Sequence, residues 1–146
     1  MLRGTKTATA ADVLFLPSGH LNIPAGIRTL SNGLFHEEAE KTLEANGYHS
    51  GFYFTPSVRN DSLYAMKDAK SPQSSSTFQG LTNAVSLFIE IRGIGLGRAC
   101  FARRAECGFL VSRSLLETAA LHSKEVRSET VSYTHLRAHE TRRHLV

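Results

Sequence analysis

The chain has 146 residues, 41% of them hydrophobic and 21% charged, with a formal net charge of +4 at neutral pH. That length and balance predict one domain or part of one, and no apolar stretch reaches the roughly 20 residues of a membrane-spanning helix. Half of the net charge falls in residues 131–146. The remainder shows no basic stripe interleaved with aromatics, so neither a nucleic-acid partner nor a membrane is expected.

Met1 to Ala8 has no long apolar core and does not read as a secretory leader; a chain complete from Met1 would be cytoplasmic. Asp12-Val13-Leu14-Phe15-Leu16 predicts a short buried strand, closed by Pro17-Ser18-Gly19. A helix is expected from Pro24 to about Ala45, with Ile27, Leu30, Leu34, Phe35 and Leu43 on its apolar side and Asn46-Gly47 ending it. Phe52-Tyr53-Phe54-Thr55 predicts a second strand, stopped by Pro56. Residues 57–79 are polar and read as an irregular loop, least structured at Ser71 to Ser76. A loop of that length inside a compact domain is usually functional or mobile. Val85 to Ile91 predicts a third strand, and Arg98 to about His122 a last helix, weakened at Gly108 by about 1 kcal/mol relative to alanine. The order implies an α/β fold, a partial mixed sheet with flanking helices and at least one raw edge.

Glu90 stands out. It lies in the apolar run Val85-Ser86-Leu87-Phe88-Ile89-Glu90-Ile91, ahead of Arg92-Gly93-Ile94-Gly95-Leu96-Gly97-Arg98. An ionised carboxylate buried without a partner costs several kcal/mol, on the order of other buried ions. It must therefore be paired, neutralised, or held where solvent or a metal reaches it. Glycines after it let the chain turn away, which places Glu90 near the carboxyl end of its strand, where ligands collect in open α/β sheets. An ion pair with Arg92 or Arg98 is the structural alternative.

Other candidates are weaker. Gly93 to Gly97 between strand and helix suggests a nucleotide- or phosphate-binding turn, but the dinucleotide fingerprint needs a third glycine where Arg98 stands. Arg103-Arg104, with Arg98 and Arg113, reads as a solvated basic face. His36 is expected to be exposed, and His20, after a strand and a turn, could face the same cleft as Glu90. Cys100 and Cys107, two helical turns apart, would be roughly 10 Å distant and so reduced. His139-Glu140 with His144 comes near the metalloprotease helix motif, yet Arg143 occupies the place of the second histidine.

Gly80 to Arg98, continuing through Arg103-Arg104, resembles the C-terminal part of bacterial zinc carboxypeptidases, the carboxypeptidase A-like metallopeptidases. The pattern is an apolar strand, a glutamate, an arginine-glycine turn and a helix opening near paired arginines. Asn22 to Arg28 and Gly33-Leu34-Phe35 resemble the same family's helix, and the likeness runs from about Asp12 to Ala120. Ile91 departs from the threonine common there. The resemblance implies a peptide or amide substrate, a zinc cofactor, and Glu90 as general base toward a zinc-bound water. It also implies that the metal ligands are missing. The family's histidine-x-x-glutamate motif does not occur before Glu90, since Ile23 follows His20 by three and Ala39 follows His36 by three. A substrate-closing tyrosine would correspond to Tyr53 or Tyr64.

Residues 131–141 resemble a translated sequencing-adaptor tail, of the kind seen on proteins read from assembled environmental DNA. The division that follows is 1–128 as the C-terminal portion of a carboxypeptidase-like catalytic domain and 129–146 as a non-native, disordered tail.

Overall fold

A computed structural model describes residues 11–59, 61–66, 71–93 and 98–131. Strand β1 is Val13–Pro17, one residue later than the apolar run suggested. Helix α1, Ala25–Thr29, passes through a π-helical stretch, Leu30–Phe35, into α2, His36–Ala45. The expected single helix is therefore continuous but widened over six residues. A π turn holds more residues than an α turn, so the side chains beyond it face a different direction from the one a 3.6-residue period predicts. His36 shows the consequence. It is buried, with its ring centroid 5.1 Å from that of Phe15 and 5.3 Å from that of Phe52, not exposed as its acidic neighbours suggested.

Strand β2 is Ser50–Phe52 and pairs in parallel with β1; β5, Leu87–Ile91, pairs with β1 antiparallel, giving the sheet order β2-β1-β5. The α/β reading stands: a three-stranded mixed sheet with flanking helices. Residues 57–79 are more ordered than their polarity implied. Thr55–Arg59 and Ser62–Met66 form a hairpin, β3 and β4, turning at Asp61 with φ 56°. Pro56 begins a strand there instead of ending one, as proline can at the first positions of an edge strand. Ser75–Leu81 is helix α3, with Ser76 and Thr77 buried.

The core lies on one face of the sheet. Val13 and Phe15 point there and meet Ala39 and Leu43 of α2 and Cys107, Leu110 and Val111 of the long helix α4, Phe101–Leu121. Full burial of a side chain such as Phe15 stabilises by about 1.5–3 kcal/mol. Helix α4 can lie close to the sheet because of Gly108: a Cβ there would sit 3.2 Å from Ile91 Cδ1. The weak point in the helix is thus the residue that lets it pack. Residues 123–131 form a further helical segment, and no helix among the described residues is long and apolar enough to cross a membrane.

At one end of the sheet, serines join the end of β1, the π-helical stretch, α3 and the start of β5. Ser18 Oγ donates to Ser76 O at 2.9 Å, Ser86 Oγ donates to Ser76 O at 2.6 Å, and Ser31 Oγ donates to Ser86 O at 2.5 Å. The other end, where β5 finishes, is held by charge.

Candidate functional site at the carboxyl end of β5

Glu90 is the penultimate residue of β5 and is half-buried. The register sets it opposite Leu14 of β1, with Phe88 opposite Leu16. Because side chains alternate along a strand, Glu90, Phe88 and Leu14 share the face opposite Val13, Phe15, Ile89 and Ile91. Glu90 thus stands on the face turned away from the α2–α4 core. Tyr53, just after β2, approaches the same face: its ring lies edge-on to Phe88, with centroids 5.2 Å apart. Of the two tyrosines the sequence left open, Tyr53 is therefore near the Glu90 face. Tyr64 is in β4, and its side chain lies outside those described.

His20 belongs elsewhere. Strand β1 runs antiparallel to β5, so Pro17 is opposite Leu87, and His20 follows Pro17. Three strand residues, roughly 10 Å at 3.3 Å each, separate the Leu87 end from Glu90. The expectation that His20 and Glu90 face one cleft fails on strand direction. His20 Nδ1 instead accepts the backbone N–H of Asn22 at 3.1 Å, within its own turn.

The end of the sheet beside Glu90 is organised by a residue the sequence did not flag. Asp12 is buried. Its Oδ1 and Oδ2 accept from Arg103 Nε at 2.6 Å and Nη2 at 2.7 Å, and Oδ2 also accepts the His49 N–H at 3.0 Å. Its backbone N–H donates to His49 O, and its carbonyl accepts the Arg92 N–H at 2.9 Å. Asp12 therefore ties β2, β1 and β5 to the first turn of α4. The Arg103 guanidinium, followed by the His49 amide, holds the Asp12 carboxyl below the usual carboxylate range against the opposing effect of burial. Arg103 also stacks over Tyr48 at 4.6 Å, and the Tyr48 hydroxyl donates to Glu106. That hydrogen bond pushes the Tyr48 phenol up to about 12.

Arg104 grips the turn after Glu90. Its Nη1 donates to Gly93 O at 3.0 Å. Gly93 has φ 155°, and a Cβ there would lie 2.1 Å from Arg104 Cδ. The paired arginines are thus built into the fold and are not a merely solvated face. The phosphate-binding reading rested on Gly93 to Gly97, of which residues 94–97 lie outside the described residues; Gly93 itself makes room for Arg104. Cys107 is buried and Cys100 exposed, neither in a disulfide. Cys100 precedes α4 instead of lying in it. Beneath this turn a cavity of about 320 Å³ opens between the end of β5 and the start of α4.

Comparison with known proteins gives these features a context. Over 121 residues, 80% of this chain, the sequence is 37% identical to "Probable carboxypeptidase 2" of Arthroderma benhamiae. Over 118 residues it is 35% identical to "Carboxypeptidase 2" of Trichophyton rubrum. The chain is thus similar to fungal carboxypeptidases over four-fifths of its own length. It spans 22% of the length of these relatives. No family model matches it, and no solved structure matches it. Zinc does not fit the described residues by themselves, since among them no three of His, Cys, Asp and Glu converge on one point.

Proposed function

We propose that this chain is the C-terminal catalytic segment of a metallocarboxypeptidase, in which Glu90 is the general base of peptide or amide hydrolysis. Glu90 would take a proton from the attacking water and return it to the departing amine. The observation that carries this reading is the 35–37% identity to carboxypeptidases over four-fifths of the chain. The position of Glu90 supports it: a half-buried carboxylate at the end of a strand, turned away from the packed core. A base must lie within hydrogen-bond reach of the proton it takes, and a carboxylate at a strand end can meet that requirement. On this reading residues 1–128 belong to the catalytic domain and 129–146 are a non-native tail. Zinc is supplied by residues outside the segment, and the chain alone is inactive.

The test is a chimera. The 118 matched residues of the Trichophyton rubrum protein are exchanged for those of this chain, and release of the C-terminal residue from a peptide is followed. The reading expects hydrolysis by the chimera and a 10²–10⁴-fold fall in kcat on Glu90→Gln, a typical loss for a general base. A folded chimera without activity, or E90Q within a few-fold of its parent, would overturn it.

A further inference from the structure

Helix α4 has apolar residues on two faces, and the packing described above uses one of them. Cys107, Leu110, Val111, Ser114 and Thr118 form the buried face. At about 100° per residue, the opposite face is that of Ala102, Ala105, Phe109, Ser112, Leu116 and Ala119. These recur at alternating intervals of three and four residues, the spacing of a helix–helix seam. Phe109 is 62% exposed and Leu116 72%. Ala102, Ala105 and Ser112 are exposed as well, and Ala119 is half-buried. Single exposed apolar residues are ordinary, but a contiguous stripe about 25 Å long marks an interaction surface.

We propose that this stripe is a homodimer contact, on which α4 of a second copy of the chain lies antiparallel around a two-fold axis. Size complementarity selects that occupant and that direction. With the axis between positions 110 and 111, each large side chain meets a small one. Leu116 packs on the partner's Ala105, Phe109 on the partner's Ser112, and Ala102 on the partner's Ala119. Parallel packing in register sets Phe109 against Phe109 and leaves a gap at each alanine layer. Charge selects the same arrangement. Glu106 and Arg113 flank the stripe on one side, one heptad apart, and residues of one flank face each other across an antiparallel pair. The two-fold axis therefore brings each Glu106 to the partner's Arg113. Glu106 accepts the Tyr48 hydroxyl through Oε2, and Arg113 Nε meets Glu117 at 3.3 Å, which leaves Oε1 and the terminal guanidinium nitrogens for the partner. A single helix pair is a small interface, so the dimer is weak, with a Kd on the order of tens of micromolar. The contact is independent of the peptidase reading, because it concerns the outer face of α4 and is read without hydrolysis.

Sedimentation equilibrium of the full chain from about 5 to about 500 µM tests the contact, with circular dichroism melts to confirm that each variant folds. The mass should climb from monomer to dimer and stop there. Phe109→Glu and Leu116→Glu alter exposed side chains and should raise Kd by about a hundredfold or more. Arg113→Glu sets like charges opposite each other at two symmetric places and should weaken the dimer about tenfold. Adding Glu106→Arg reverses both signs and should restore affinity to within a few-fold of wild type. Should the E106R chain not fold, Glu106→Gln serves, since its amide oxygen still accepts the Tyr48 hydroxyl; in that background R113E should cost no more than about twofold. A chain that stays monomeric, association that continues past the dimer, or a dimer indifferent to F109E and L116E overturns the proposal. So does failure of the second charge reversal, or of the E106Q background, to cancel the effect of R113E. A monomer whose F109E substitution lowers the Tm of the carboxypeptidase chimera overturns it too, because the rest of that polypeptide then covers the face.

Discussion

Asp12→Asn is the most telling single substitution in the fold. It preserves shape and leaves an oxygen for the His49 amide, but removes the negative charge that Arg103 grips through two bonds. Breaking a buried pair costs about 3–5 kcal/mol, whereas an exposed pair contributes about 0–1. Asp12 is buried, but the Arg103 side chain is 46% exposed, so the cost falls between these limits, at about 2 kcal/mol. For a chain of this size that lowers Tm by roughly 6 °C. The pH dependence has a definite sign. The folded pKa of Asp12 is lowered from 3.8. Its contribution is therefore complete above the unfolded value and disappears as pH falls through the lower, folded one. Circular dichroism melts at pH 7 and pH 2.5 check both parts: a gap of several degrees between wild type and D12N at pH 7, shrinking at pH 2.5. Equal melting at pH 7, or a gap that persists unchanged in acid, would refute the assignment of Asp12 as an ionised clamp.

Tyr48 predicts the opposite limb. Its phenol is raised from 10.0 to about 12 by the Glu106 hydrogen bond. The stabilisation is thus present below pH 10 and is lost as pH climbs toward 12. Absorbance of tyrosinate should show a late-titrating phase that Tyr48→Phe removes. Gly93→Ala should destabilise by about 1–3 kcal/mol, from the strained φ and the collision with Arg104. Gly33→Ala, whose Cβ meets nothing nearer than 4.0 Å, should be nearly silent in the same denaturant titration. Thiol titration should find Cys100 alone in the native chain and Cys107 as well after unfolding.

The β1–helix–β5–α4 skeleton was legible because its strands are apolar runs bounded by glycine and proline, signals that act over a few residues. The β3–β4 hairpin was not. Its residues are polar enough to pass for loop, and Pro56 looked like a terminator; Asn60-Asp61 between Val58 and Leu63 was the turn signal that could have revealed it. Helix α3 escaped for a similar reason, since serine and threonine mark caps and turns more often than buried helix positions. At the site, Glu90 was visible as a charge out of place in an apolar strand. Asp12 was not, because its partner is 91 positions away and no local pattern encodes that meeting. The misplacement of His20 came from strand direction, which periodicity does not carry.

The serine joint at the Leu87 end contains no group that ionises in the accessible pH range, whereas the opposite end depends on a carboxylate. Acidification should therefore unzip the sheet asymmetrically, from the Asp12 end inward, while Ser18, Ser31, Ser76 and Ser86 act as a pH-indifferent hinge. The side bearing Glu90 and the arginine-lined hollow would loosen first, and protons would shut down whatever chemistry resides there before the molecule as a whole comes apart.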